Sequence, residues 1–321
     1  MALFNLRKGA STEAKPENLA ALLQGASIEV MPRTAAKVES FREILPEGTR
    51  VYVAHIEGTP IDEMVATVKR ITDEGYPAMP HLPARIIDSR ATLETWLKRY
   101  REEAGAEQAL VLAGGVPTVA GEFTSAIDLL KTGLFDELGY KRLHVAGHPE
   151  GNKDIDAKGG TKLVDEAVMW KQGFSEQTDA EMAIATQFAF EAGPIIAWAE
   201  RLQAMGVTLP IHLGVAGPTK LQTLIKFAIA CGVGPSLGVL QKRAMDLSKL
   251  LLPFTPTELL GEIAAYKSAH PDSLIEKIHI FPLGGIKTSA TWLNEHNCGK
   301  RGASPPHPPP RGSTLPLGTP V

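Results

Sequence analysis

The stretch Gln108-Ala-Leu-Val-Leu-Ala-Gly-Gly-Val-Pro117 is an apolar run that ends abruptly at a glycine pair. A short apolar run of this kind is typical of a buried strand, and the glycines let the backbone approach a ligand closely. Three other apolar runs break into Gly, His or Pro in the same way, at residues 142–150, 210–218 and 277–285. Polar residues gathered where buried strands end favour a parallel α/β protein.

Eight strand patterns alternate with helical patterns along the chain. The predicted strands lie at residues 27–31, 50–55, 76–81, within 108–117, and at 142–146, 182–188, 209–213 and 277–282. The predicted helices lie at 16–24, 35–44, 60–73, 89–104, 122–132, 161–177, 193–205, 219–230, 256–269 and 288–295, with an extra helix at 236–251 before strand eight. This eight-fold alternation, without a GxGxxG fingerprint, predicts a closed (β/α)8 TIM-type barrel rather than an open doubly wound sheet.

The domain boundaries follow from changes in composition. We expect residues 1–26 to form an N-terminal segment and helix, and residues 27–298 to form the barrel. Residues 299–321 contain seven prolines and four glycines. A segment of that composition buries little apolar surface, so we expect a disordered tail.

Charge and cysteine content exclude several classes of protein. The chain of 321 residues has a net charge of −3 and no basic run, which argues against a nucleic-acid partner. It has no apolar run of about 18 residues and no signal-peptide core, so we expect a cytoplasmic protein without a membrane partner. Cys231 and Cys298 lie far apart and outside any ligand cluster, and we expect no metal site.

Glu29 is the strongest candidate for acid–base chemistry. It lies among apolar residues near the end of the first predicted strand, where burial is expected to raise the pKa of its carboxyl group toward the working pH. The alternative is a solvated or arginine-paired structural carboxylate.

Histidine and glutamine residues mark the other strands. His144, His212 and His279 lie mid-strand among apolar residues, which favours packing over metal binding. His81 and His148 lie at predicted strand ends, a position that favours a functional role. Gln187 follows an apolar run, and its amide suits a heterocycle that carries amide groups, or else lies on the surface.

Taken together, these motifs resemble those of the methylenetetrahydrofolate reductase family over residues 27–294. The motifs that carry the resemblance are Glu29, Pro80-His81-Leu82, Leu110-Val-Leu-Ala-Gly-Gly-Val-Pro117, His148-Pro-Glu-Gly-Asn152 and Ala185-Thr-Gln-Phe188. The resemblance implies FAD at the mouth of the barrel, a tetrahydrofolate substrate stacked on the flavin, and hydride transfer between the flavin and the one-carbon bridge.

The resemblance also implies roles for individual residues. Glu29 corresponds to the general acid of the family, Gln187 to a residue that contacts the pterin, and Lys287 lies where the substrate binds. The positions that correspond to FAD-binding residues are Ala54, His55, His81, Ala113, Gly114, Gly115, His148, Glu150, Asn152, Asp165 and Lys171. NADH or NADPH is the candidate electron partner, methionine biosynthesis the candidate pathway, and a homo-oligomer the candidate assembly.

Three positions depart from the family pattern. Ala113-Gly114-Gly115 replaces an Arg-Gly-Asp sequence after strand four, and Ala54-His55 replaces a threonine and a tyrosine after strand two. An arginine after strand eight is absent, and Gly284-Gly285 followed by Lys287 stands there. Two alternatives therefore stay open beside the reductase: a corrinoid- or pterin-binding methyltransferase barrel, and a barrel that binds folate without turnover.

Overall fold

The computed structural model of the chain describes residues 16–230, 238 and 253–297. Eight parallel strands close into a barrel in which each pairs with its neighbours in chain order and β8 pairs with β1. The strands are β1 Ser27–Val30, β2 Val51–Val53, β3 Ala78–Pro83, β4 Gln108–Leu112, β5 Arg142–Gly147, β6 Glu181–Thr186, β7 Ile211–Ala216 and β8 Ile275–Phe281. The predicted (β/α)8 barrel is confirmed.

Helices surround the barrel. They are α1 Pro16–Leu23, α2 Pro32–Ala35, α3 Ile61–Asp73, α4 Arg90–Glu102, α5 Ala126–Leu130, α6 Leu134–Glu137, α7 Lys162–Ser175, α8 Ala192–Ala204, α9 Leu221–Ala230, α10 Thr257–Ala269 and α11 Ile286–His296. The extra helix predicted at 236–251 and the tail at 299–321 lie outside the described residues. Within the described residues, none of these helices combines the length and the apolar character that crossing a bilayer requires.

The helix predicted at 35–44 is wrong. The structure has the short α2 and a 3-10 turn at Phe41–Glu43 instead. The guanidinium group of Arg70, on α3, donates hydrogen bonds to the carbonyl oxygens of Ala35, Val38 and Glu39 at 3.0, 2.5 and 3.0 Å. Because a residue distant in sequence binds these carbonyls, the helical hydrogen-bond ladder does not continue.

The helix predicted at 122–132 is shorter than expected. One oxygen of the Asp128 carboxylate accepts hydrogen bonds from the backbone N–H groups of Thr124 and Ser125, both at 2.9 Å. This capping arrangement makes Ser125 the N-cap, so α5 begins at Ala126.

The barrel has two distinct buried layers because side chains alternate across each strand. Outward-facing residues such as Ile28, Val51 and Ile184 pack against the helices in the large apolar core. The smaller apolar cluster inside the barrel consists of Tyr52, Met79, Leu110 and Ala185, with Leu112 packed against it. Several other inward positions hold polar side chains, which are described next.

Candidate functional site

Glu29 lies inside the barrel, on β1. Ser27 shares its inward face, whereas Ile28 and Val30 point outward into the main core. Oε2 of Glu29 lies 3.3 Å from Nε2 of His81, on β3, and 3.7 Å from Nε2 of His279, on β8. The carboxylate is therefore approached by two imidazole rings from two other strands.

The register of the barrel fixes one of these rings. Ser27 pairs with His279 in the ladder between β1 and β8, and Oγ of Ser27 lies 2.9 Å from Nδ1 of His279. This hydrogen bond aims the opposite nitrogen of the ring, Nε2, at Glu29. Because the partners come from opposite ends of the chain, only closure of the barrel brings them together.

The pKa expected for Glu29 is wrong in direction. Burial does work to raise the pKa of the carboxyl group, as the sequence suggests, but the contacts with His279 and His81 outweigh it. Together they lower the pKa of Glu29 to about 2. In the resting protein Glu29 is therefore a carboxylate at neutral pH.

A deeper polar group lies below Glu29. The Tyr52 hydroxyl group is hydrogen-bonded to Nδ1 of His144, and the His144 and His212 rings meet edge to face with centroids 4.6 Å apart. The ring of Tyr52 also contacts that of His279, with centroids 4.2 Å apart. Packing, as predicted for the three mid-strand histidines, is thus confirmed, but His279 in addition contacts the candidate acid.

Burial keeps the deeper histidines neutral. It lowers the pKa of His144 well below its ordinary value, and the neighbouring His212 ring further disfavours a second positive charge there. Burial and the charge of Arg50 lower the pKa of His212 to about 3. Among the described residues, no group of three or more His, Cys, Asp or Glu side chains is arranged to hold a metal ion.

The residues predicted to bind FAD after β2 and β4 lie at the carboxyl end of the barrel. Ala54 and His55 are both buried, and Nε2 of His55 lies 3.0 Å from the carbonyl oxygen of Thr59. Ala113 and Gly114 are partly exposed after β4, and Gly115 is exposed. A Cβ atom on Gly115 would meet no heavy atom within 4 Å, so the space beside this loop is open.

The predicted FAD-binding residues after β5 differ in their surroundings. His148 and Glu150 are partly exposed. The side-chain oxygen of Asn152 accepts a hydrogen bond from the backbone of Asp154 at 2.8 Å. Asp165 is paired with Arg201 at 2.9 Å, so its carboxylate already has a partner within the protein.

Lys171, on α7, is a buried cation. Its residue exposure is 6%, and Nζ donates a hydrogen bond to the carbonyl oxygen of Ala146 at 2.9 Å, near the carboxyl end of β5. Burial lowers the pKa of Lys171 to about 8, and burial together with the Lys171 charge lowers that of His148 to about 4. A cation buried beside a strand end is an uncommon arrangement that marks this side of the barrel.

The two predicted folate-binding side chains lie at other strand ends. Gln187 follows β6 directly and is partly exposed, and its backbone N–H donates to the carbonyl oxygen of Gly147 at 3.0 Å. Lys287 is exposed in the first turn of α11 and lines a groove of about 870 Å³ between the segments that follow β7 and β8. Both residues are at the carboxyl end of the barrel, as predicted.

Sequence reasoning missed Ser27 and Tyr52 as parts of the site and treated His279 as packing alone. Their sequence signal is weak, since a serine at a strand start and a tyrosine within a strand are ordinary. One available signal is the spacing of two residues between Ser27 and Glu29, because side chains two residues apart on a strand point to the same face.

Comparison with known proteins supports the fold. No protein-family profile matches this chain. A solved protein from Clostridium thermocellum, described as uncharacterised and as binding two copies of 5-methyl-5,6,7,8-tetrahydrofolic acid, superposes with a TM-score of 0.58. The sequence identity is 10%, and the match covers 88% of this chain and 98% of that chain. At this identity the likeness shows a shared fold alone.

Two further structures are much less similar. A dihydropyrimidinase from Brevibacillus agri gives a TM-score of 0.33 at 13% identity, covering 73% of this chain and 51% of its own. A D-hydantoinase gives 0.32 at 12% identity, covering 64% and 42% respectively. Neither carries an argument about this chain.

The geometry of the mouth defines what the site can do. The exposed fraction of the side chain falls from 20% at Glu29 to 10% at His81 and 2% at His279. A carboxylate that is partly open to the mouth and backed by two imidazoles can hold a proton and pass it to a bound molecule.

Proposed function

We propose that this chain is a flavin-dependent oxidoreductase that interconverts 5,10-methylenetetrahydrofolate and 5-methyltetrahydrofolate, with Glu29 as the general acid. The observation that carries the proposal is the position of Glu29, inside the carboxyl end of a (β/α)8 barrel and in contact with His81 and His279. Catalytic groups of such barrels lie at this end. Opening the five-membered ring of the folate requires a proton on a ring nitrogen, and in our proposal this proton passes through the Glu29 carboxyl group.

Two features support a folate as the substrate. The solved Clostridium protein binds 5-methyltetrahydrofolic acid, so a barrel of this general shape can hold a folate. The amide of Gln187 has both donors and an acceptor, which suit the amide-like edge of a pterin ring. In our proposal Gln187 orients the pterin, and Lys287 attracts the negatively charged tail of the substrate.

The residues at the mouth fit FAD. Nδ1 of the buried His55 has no hydrogen-bond partner within the described part of the chain. Because an unsatisfied buried nitrogen destabilises the protein, a bound molecule that hydrogen-bonds to it would be favoured. The open space at Gly115 lets a flat ring lie against the backbone. The Lys171 ammonium group adds a buried positive charge, which suits the phosphates of a dinucleotide.

In our proposal, two groups of residues would hold the two halves of FAD. His55, His81, Gly114 and Gly115 would hold the flavin half of the cofactor. The phosphates and adenosine half would be held by a second group, namely His148, Glu150, Asn152, Asp165 and Lys171. When bound, FAD supplies the two-electron hydride chemistry, with NADH or NADPH as the electron partner.

The test begins with the colour of the purified protein. A reductase is expected to be yellow, to show flavin absorbance and to release FAD on heating. Titration with 5-methyltetrahydrofolate should change the flavin spectrum. In Gln187→Ala we expect weaker folate binding with unchanged FAD content. Gln177→Ala is the matched control, because Gln177 is an exposed amide beyond α7 and away from the mouth.

Other outcomes separate the alternatives. A colourless protein that does not take up FAD but binds 5-methyltetrahydrofolate would contradict the reductase and favour a methyltransferase or a folate-binding barrel. Parental folate affinity in Gln187→Ala would show that another strand end holds the pterin.

A further inference from the structure

Glu29 belongs to a group of three titratable side chains. Oε2 of Glu29 lies within ion-pair distance of both His81 and His279. A carboxyl group in this setting is ionised at rest, as its lowered pKa shows, so it holds no proton to give. A general acid at this place needs a neighbouring source of protons.

His279 is poorly suited to be that source. Its side chain is 2% exposed, and burial lowers its pKa, which favours the neutral ring. The Ser27 hydroxyl group satisfies Nδ1 at 2.9 Å. The tautomer that the network assigns has the hydroxyl group donating to Nδ1, with the ring proton on Nε2 directed at Glu29. Ser27 and His279 are therefore positioning residues for the carboxylate.

His81, unlike His279, is suited to supply the proton. Its side chain is 10% exposed, near the mouth, and Nε2 is 3.3 Å from Glu29 at ion-pair distance but without hydrogen-bond alignment. No other partner of Nε2 occurs within the described residues. The titratable groups around the ring are Glu29, Tyr52, His55 and His279, of which Glu29 alone is an anion at neutral pH.

We propose that His81 and Glu29 share one proton, which rests on Nε2 of His81 and reaches the folate through the Glu29 carboxyl group. This inference rests on the proposed function for the identity of the acceptor. It adds that His81 supplies the proton that Glu29 passes on. The proton donor is therefore the pair of His81 and Glu29 and not Glu29 alone.

In the direction of reduction, the proton moves from His81 to the folate by way of Glu29. Nε2 of His81 gives its proton to Oε2 of Glu29, and the carboxyl group gives it to N10 of the folate. The N10 lone pair forms the new N–H bond, the bond between N10 and the methylene carbon breaks, and its electron pair stays on N10. The lone pair of N5 then forms the second bond to that carbon and makes the iminium. The hydride that completes the reduction belongs to the proposed flavin chemistry, and the imidazole regains a proton from water.

The test compares two histidines that touch the same carboxylate. In the parent, turnover should fall as the pH rises and the pair loses its single proton. His81→Gln should lower turnover per bound FAD at neutral pH by about 10²- to 10⁴-fold, and turnover should recover only toward acidic pH, where solvent protonates Glu29 directly. His279→Gln should lower turnover, but turnover should still decrease over the same pH range as in the parent. The proposal would be overturned if His81→Gln kept the turnover and pH profile of the parent. It would also be overturned if only His279→Gln lost the decrease of turnover with rising pH.

A second measurement needs neither folate nor flavin turnover. Ring ¹⁵N NMR at one neutral pH should show His81 protonated on both nitrogens in the parent and on one nitrogen in Glu29→Gln. The same ring spectrum in both proteins would overturn the shared proton. Absence of turnover in the parent would instead count against the proposed function, and the ring spectra would still decide where the proton lies.

Discussion

At the scale of single residues, Lys171 offers a direct test of cofactor binding. Lys171→Met keeps much of the length and apolar contact of the side chain but removes the charge, so FAD binding should weaken by about 1.5 to 3 kcal/mol. Because the pKa of Lys171 is lowered to about 8, parental FAD retention should also fall as the pH rises through 8. Release of free FAD on dilution measures both effects. Lys162→Met, at an exposed position on the same helix, is the control, and equal retention in the two variants would remove Lys171 from the cofactor site.

Gly115 tests the electrostatics of the flavin. Gly115→Asp fits sterically, because a Cβ atom there meets nothing within 4 Å. A carboxylate beside the flavin disfavours the anionic reduced form, so the substitution should lower the reduction potential. A dye-coupled redox titration measures it, with Gly115→Asn as the uncharged control of the same shape. An unchanged or higher potential in Gly115→Asp would contradict the electrostatic reasoning.

At the scale of elements, two glycines should respond in opposite directions. Gly214, on β7, lies so close to β6 that a Cβ atom would be 2.2 Å from the carbonyl oxygen of Thr186. Gly214→Ala should therefore force β6 and β7 apart and destabilise the protein by about 1 to 3 kcal/mol. Gly173, within α7, has nothing within 4 Å of a Cβ atom, so Gly173→Ala should stabilise the protein by about 0.5 to 1 kcal/mol.

Urea unfolding of both glycine variants decides this comparison. The midpoint should fall in Gly214→Ala and rise in Gly173→Ala, with similar slopes for both. An unchanged midpoint in Gly214→Ala would mean that β6 and β7 can move apart without loss of stability.

At the scale of the whole molecule, the polar interior of the barrel makes stability depend on pH. His212 has a lowered pKa of about 3, so between about pH 3 and its ordinary value of 6.5 the unfolded chain binds a proton that the folded chain does not. Stability should fall as the pH drops through this window, by up to about 1.4 kcal/mol per pH unit for one group. Glu29 adds to the loss as the pH falls from 4.5 toward 2, because its pKa is also lowered.

The check is urea unfolding between pH 7 and pH 4.5. His212→Met, which removes the titrating ring, should give a shallower dependence on pH than the parent. His270→Gln should follow the parent, because His270 lies exposed on the surface after α10. Identical pH dependence in the parent and His212→Met would show that the buried ring does not control acid stability.

The sequence by itself determined the number and order of the strands. Their apolar runs are local features, and parallel strands joined by helices close in only a few ways, so the barrel and the polar residues at its mouth could be predicted. Glu29, His81 and Gln187 were identified as candidates for the same reason, because each lies at or near the end of a strand pattern.

Only the tertiary structure decided which polar groups meet. The contact of Glu29 with His81 and His279 joins three strands that are far apart in sequence, and it reverses the direction of the pKa shift that burial alone predicts. The same holds for the backbone after α2, where Arg70 binds the carbonyls that a helix would use. Local patterns specify which element forms, whereas a charge is controlled by neighbours within a few ångströms, and closure of the barrel chooses those neighbours.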